Sequence, residues 1–392
     1  MFSSRLRHAA GRNRIALALD ARRAAGLPVI DLTLSNPTQA GFMYPTDLLH
    51  PLAHERALCY EPRPFGLPAA RQAVSEDFAR RGVRVPASQV VLTASTSEAY
   101  SMLFKLLCDP GDAVLAPRPS YPLVEHLTEL DGVFLEQYSL EFHGEWTIDP
   151  QILRERLSVP SQRRVRAVIM INPNNPTGSV TKAAELDAIA SLAAEHELAL
   201  ISDEVFGDYP MAEGTCASAL AQQTALTFAL GGLSKSIGLP QAKLGWIGIG
   251  GPASLVAHAT ERLETICDAY LSVSTPVQAA AAELLSAGAT VREQIRRRVR
   301  ENYASMVEFV SALPSCTVLP AEAGWYAIVQ VPVIEPEETL VLELLERTGV
   351  LVHPGFFFDF EREAYLVMSL LPERAVFEHA VHAIVQEIGR IR

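Results

Sequence analysis

From residue 89 onward the chain alternates short apolar runs with amphipathic ones, and this alternation constrains the fold more than any other feature. The run Val90–Thr93 has strand length and carries no charge. Residues 97–107 follow, with Ala99, Met102, Leu103, Leu106 and Leu107 spaced for one helical face. Further strand-like runs fall at 113–116, 133–138, 165–171, 198–202, 224–230 and 244–249, with helical stretches such as 182–196 between several of them. That order predicts an α/β fold, with a large domain whose mainly parallel sheet is covered by helices on both sides.

A chain of 392 residues is long for a single core. The pattern changes near Thr275-Pro276, where Thr as N-cap and Pro at the first helical position open a helix expected to continue through 296–300 toward Leu313. Strands at 317–319, 325–331 and 365–370 and helices at 338–348 and 373–391 then predict a smaller α/β domain. The expected organisation is an N-terminal segment (1–44) packing with the small domain, a large domain (45–280) and the small C-terminal domain (281–392).

In open α/β sheets ligands gather outside the carboxyl ends of the strands. Three polar residues stand at such ends. Lys235 follows the run 224–230 in Ala-Leu-Gly-Gly-Leu-Ser-Lys-Ser (229–236), and its amine can form a Schiff base with an aldehyde cofactor. Asp203 ends the run 198–202, within Ser-Asp-Glu-Val-Phe (202–206), and Asn175 sits in Asn-Pro-Asn-Asn-Pro-Thr-Gly (172–178) after the run 165–171. Taken singly, a surface lysine, an N-cap aspartate and a turn asparagine explain them as well. Together they predict a shared cleft.

Composition narrows the chemistry. With 33 basic against 45 acidic residues the net charge is −12, which argues against a nucleic-acid surface. Five scattered cysteines lack metal-type spacing, so neither a disulfide framework nor a zinc site is expected, and a reducing cytoplasm suits them. No apolar run reaches the roughly 18–20 residues a membrane helix needs. The arginines at 5, 7, 12, 14, 22 and 23 fit an amphipathic N-terminal helix better than a transit peptide.

The motifs around Asn175, Asp203 and Lys235, followed by Lys-Leu-Gly-Trp (243–246), occur in an order that resembles the aspartate aminotransferase superfamily: fold type I, class I/II aminotransferases dependent on pyridoxal 5'-phosphate. The similarity runs over nearly the whole chain. It implies that Lys235 carries the cofactor and, once freed by substrate, moves a proton, while Asp203 pairs with the pyridine nitrogen so that the ring accepts electrons. It implies further that Asn175 donates to the ring hydroxyl, Tyr121 stacks on the ring, and Ser95, Thr96, Ser97, Ser234 and Lys243 bind the phosphate. Tyr60 matches a residue that reaches the neighbouring subunit's phosphate, implying a homodimer.

Four departures from the family pattern stand out. Lys243 and Gly232 occupy places of a phosphate-binding arginine and serine. Phe206 replaces a tyrosine donor to the ring hydroxyl, which should raise the Schiff base pKa. Val367 falls where an arginine normally binds the substrate α-carboxylate, with Arg118, Arg63 and Arg362 as candidate substitutes. The expected activity is transamination between an amino donor and an oxo-acceptor. A lyase or decarboxylase on the same scaffold, or a non-catalytic ligand sensor, is the alternative. A dinucleotide-binding oxidoreductase lacks its Gly-rich turn.

Overall fold

The computed structural model describes residues 2–5, 11–159, 163–214 and 216–390. Arg7 and Ile391, named above, lie outside these residues. The main sheet comprises β1 (Val90–Thr93), β2 (Ala113–Arg118), β3 (Phe134–Ser139), β4 (Val165–Ile171), β5 (Ala199–Asp203), β6 (Thr227–Gly232) and β7 (Gly245–Gly250). Their spatial order is β1-β7-β6-β5-β4-β2-β3, and within this sheet only the pairings of β7 are antiparallel.

Strands buried on both faces explain the uninterrupted apolar runs. On β4, Ala167 and Ile169 join one cluster with residues of the helices Thr96–Leu107 and Ala253–Tyr270, whereas Val168 and Met170 join another with the helix Ala183–Glu195. Each such aliphatic side chain withdrawn from water contributes about 1.5–3 kcal/mol. The helix Thr96–Leu107 starts where Ser95 caps it, Oγ accepting the Glu98 N–H at 3.2 Å.

A second sheet contains β8 (Thr317–Val318), β9 (Tyr326–Gln330), β10 (His353–Pro354) and β11 (Tyr365–Ser369), in the antiparallel order β8-β9-β11-β10. The N-terminal helix Arg14–Ala24, capped by Asn13, lies beside the helix Glu337–Thr348, where Arg14 meets Glu338 at 2.9 Å. The short strand Ile30–Asp31 runs parallel to Val350–Leu351.

The single long helix expected from Thr275 toward Leu313 is instead three: Thr275–Ala279, Ala281–Ala287 and Ala289–Ser311. At the second break a side chain on Gly288 would place its Cβ 2.7 Å from Cβ of Ile237, so the interruption packs directly against the segment that follows Lys235. Apolar periodicity carries no trace of such an approach. The strand expected from residue 224 begins at Thr227, because the Gln222 side chain accepts the N–H groups of Thr224 and Ala225 and turns the backbone first.

Candidate active site

Sheet register assembles the site. Asp203 pairs with Ile171 on one side and Leu230 on the other, while Gly245 pairs with both Thr93 and Gly232. The carboxyl ends of β1, β4, β5 and β6 therefore meet the start of β7 on one edge. A cavity of about 310 Å³ opens there, and Thr96, Tyr121, Asn175, Asp203, Phe206, Ser234 and Lys235 all line it. Ser95 and Ser97 flank Thr96 without lining the cavity, and Lys243 is exposed in a left-handed conformation at φ 52°. Tyr60 lines a separate surface crevice with Arg63 and Leu271.

Asp203 is buried at the end of β5. Its carboxylate accepts Tyr100 Oη at 3.2 Å and the Val205 N–H at 3.3 Å. Burial pushes its pKa up to about 6, against those two hydrogen bonds and the attraction of Lys235, which pull it down. Burial acts oppositely on Lys235, lowering its amine to about 8 although Asp203 favours the charge. The amine faces aromatic surface: Nζ lies 4.9 Å from the Trp325 ring centroid and 5.7 Å from that of Phe206.

Lys235 sits in the one-turn helix Leu233–Ser236 immediately after β6. The backbone of that turn is held from several sides. Leu233 donates to the Leu244 carbonyl at 2.9 Å, Arg292 Nε donates to the Ser236 carbonyl at 3.0 Å, and Tyr44 Oη donates to the Gly238 carbonyl at 2.7 Å. Tyr209 Oη donates to the carbonyls of Lys235 and Ser236. Sheet, phenols and guanidinium thus fix the direction in which the lysine leaves the chain.

The arrangement meets the chemical requirements of pyridoxal phosphate. An aldehyde needs a primary amine that sheds its proton readily, which Lys235 provides, and a pyridinium needs a buried carboxylate, which Asp203 provides. Asn175 Oδ1 is buried without a hydrogen-bond partner, so this amide retains bonding capacity within the cavity lining. An anion suits the N-terminus of the helix Thr96–Leu107, next to Thr96 and Ser234. Gly245 leaves this corner open, since a Cβ there would stand 2.9 Å from the Ser95 carbonyl carbon and 3.0 Å from Thr93 Oγ1. The residues fit the group.

Several residues here escaped the sequence reading. Tyr100 shares the apolar face of its helix with Ala99 and Leu103, so periodicity marks it as core; only the fold turns its hydroxyl to Asp203. Ser35 and Tyr326 reach the cavity from the N-terminal segment and β9, and no local motif announces either. Phe206 packs edge-on against Trp325 and Tyr326, at 5.4 and 6.3 Å between centroids, and brings no donor to the site.

A family model described as aminotransferase class I and II matches residues 53–384. The aspartate/prephenate aminotransferase of Thermus thermophilus is 30% identical over 390 residues, covering 96% of this chain and 94% of that protein. The glutamate-pyruvate aminotransferase AlaA of Haemophilus influenzae is 27% identical over 371 residues, covering 91% and 89%. Among solved structures, an alanine aminotransferase from Pyrococcus furiosus superposes with a TM-score of 0.86 at 24% identity, covering 96% of both chains.

Proposed function

Because the chain belongs to the class I and II aminotransferase family and is a pyridoxal-phosphate-dependent transaminase, we propose that Lys235 and Asp203 are its catalytic residues, exchanging nitrogen between an amino donor and an oxo-acceptor in the 310 Å³ cavity. The observation that carries this reading is the convergence of Lys235, Asp203 and Asn175 on one cavity from three different strand ends.

The bound cofactor supplies an aldehyde for a primary amine and a ring that holds an electron pair. Lys235 is the amine that anchors it, and a pKa near 8 leaves a usable neutral fraction at pH 7. Once substrate nitrogen displaces it, the same amine takes and returns the proton at the reacting carbon. Asp203 holds a proton on the ring nitrogen, and Tyr100, donating to its Oδ2, keeps the carboxylate ionised and aimed. Asn175 would bind the ring hydroxyl, Tyr121 would cover the ring, and Ser95, Thr96, Ser97, Ser234 and Lys243 would hold the phosphate, while Phe206 would bring it no donor.

The working unit in this reading is a homodimer in which Tyr60 reaches the neighbouring site. In its support, Tyr60 is 73% exposed and Leu58 91% exposed, two residues apart in the chain, with Met43 and Tyr270 exposed as well. The organisation comprises an N-terminal segment 1–44, a large unit 45–280 and a small unit 281–392. Among the described residues no helix is long and apolar enough to cross a membrane, and the five cysteines are free, which agrees with a cytoplasmic enzyme.

Mixing the cofactor-loaded protein with an amino donor and no acceptor tests the activity. A transaminase forms one equivalent of oxo-product per site and stops until an oxo-acceptor is added. Continuous turnover of the donor alone, with release of carbon dioxide or an eliminated group, would overturn the assignment in favour of a lyase.

A further inference from the structure

We infer that both the amino donor and the oxo-acceptor bear a neutral group, not a carboxylate, on the carbon that exchanges nitrogen for oxygen. This deepens the transaminase reading and rests on it. Among the described residues lining the cavity, the charged ones are one base, Lys235, and one acid, Asp203. In that reading both are committed to the cofactor. What remains to meet a ligand is neutral: the Ser35 hydroxyl, the Tyr326 phenol and apolar surface from Leu123 and Val124.

Among the described residues no guanidinium lines the cavity to correct this balance. Arg118 lies 2.5 Å from Glu361 and also donates to Ser139. Arg81 pairs with Glu204, Arg292 holds the Ser236 carbonyl beside Asp77 and Asp208, and Arg296 donates to the Asp208 carbonyl. Arg362 is exposed on the turn before β11 and does not line the cavity. Arg63, on the loop proposed to cross to the neighbouring subunit, arrives with its own counter-ion, Glu61 at 2.6 Å.

The position at which the family pattern places its carboxylate-binding arginine is neutral too. Val367 is fully buried on β11, in register with Ile328 on one side and His353 on the other. Burial pushes the His353 imidazole down to about 4, so it is uncharged at neutral pH. A carboxylate entering this cavity would give up water and find only neutral hydroxyl donors, a costly burial for an unpaired charge. A carboxamide, a hydroxymethyl or a hydrocarbon group enters without that cost, and the first two give Ser35 and Tyr326 partners.

Donor and acceptor use the same cavity in turn, so the restriction applies to both. The donor is a neutral primary amine, such as an amino alcohol or amino amide, and the acceptor an aldehyde or uncharged ketone. The exchange balances: the donor carbon loses its C–N bond and two electrons and becomes a carbonyl, and the acceptor carbon gains both, with water supplying and taking up the oxygen.

Matched pairs on the dimeric, cofactor-loaded enzyme test this: L-alanine against L-alaninamide, and L-phenylalanine against L-phenylalaninamide, with kcat/KM for oxo-product formation and propanal as acceptor. In parallel, equilibrium binding of 3-phenylpropanoate and 3-phenylpropanamide is followed by protein fluorescence, a measurement independent of turnover. The neutral member of each pair should be favoured at least ~10-fold, equivalent to about 1.4 kcal/mol. Carboxylates preferred or equal, in turnover and in binding, would overturn the inference while leaving the transaminase intact. Neutral preference in binding with no oxo-product from any donor would support the pocket assignment and overturn the transaminase reading instead.

Discussion

Replacing Lys235 by methionine should make the cofactor-free protein more stable at neutral pH while abolishing its covalent hold on the cofactor. Burial lowers the amine from 10.5 to about 8, and at 1.36 kcal/mol per unit the charged form costs the fold about 3 kcal/mol. Methionine keeps an unbranched apolar stem against Trp325 and Phe206 and removes that charge. That shift already includes the attraction of Asp203, so the net gain should be about 3 kcal/mol. The sign with pH follows from proton counting. Between about 8 and 10.5 the unfolded chain holds the lysine proton and the folded chain does not, so wild-type stability rises with pH in that window. The variant lacks this rise. Urea unfolding of both cofactor-free proteins at one protomer concentration, at pH 7 and at pH 10.5, is the assay. Lys235→Met should show the higher midpoint at pH 7, and its advantage should vanish at pH 10.5. An equal advantage at both pH values, or a less stable variant at pH 7, would refute the account of this amine.

Three further changes probe the surroundings. Tyr100→Phe removes a hydrogen bond to a charged acceptor, worth about 1.5–3 kcal/mol, so the Asp203 pKa should rise by roughly 1–2 units; ¹³C-carboxyl NMR titration of the cofactor-free protein reads it, and an unmoved pKa would contradict the role given to Tyr100. Asp203→Asn should retain cofactor on Lys235 yet lower kcat by about 10–100-fold, the loss of one charged contact to the ring; single-turnover rates decide, with wild-type rates counting against Asp203. Arg81→Met strands the Glu204 carboxylate, which pairs with Arg81 at 3.0 Å and accepts from Ser218 and the Ala219 N–H. Breaking such a buried pair from one side should cost about 3–5 kcal/mol in urea unfolding, and a loss below 1 kcal/mol would show the pair to be dispensable.

Legibility in the sequence followed physical range. The parallel sheet was readable because strands buried on both faces must be apolar throughout, as Val114, Leu115 and Ile169 are. Lys235, Asp203 and Asn175 were readable because polar residues ending apolar strands reach one edge in any open parallel sheet. What stayed hidden depends on contacts between distant segments. Tyr100 is indistinguishable from a core aromatic until β5 is laid beside its helix, and Ser35 and Tyr326 line one cavity only when the N-terminal segment and β9 close over it. The break at Gly288 likewise answers to Ile237, some fifty residues earlier, and the helical pattern runs through it unchanged.

The central claim is that Lys235 is the residue that bonds to the cofactor. Borohydride reduction of the holo-protein, followed by proteolysis and mass spectrometry, measures this directly. The account predicts one reduced cofactor adduct per protomer on the peptide containing Lys235 and none in Lys235→Met. An adduct on another lysine, or none in the wild-type protein, would contradict it.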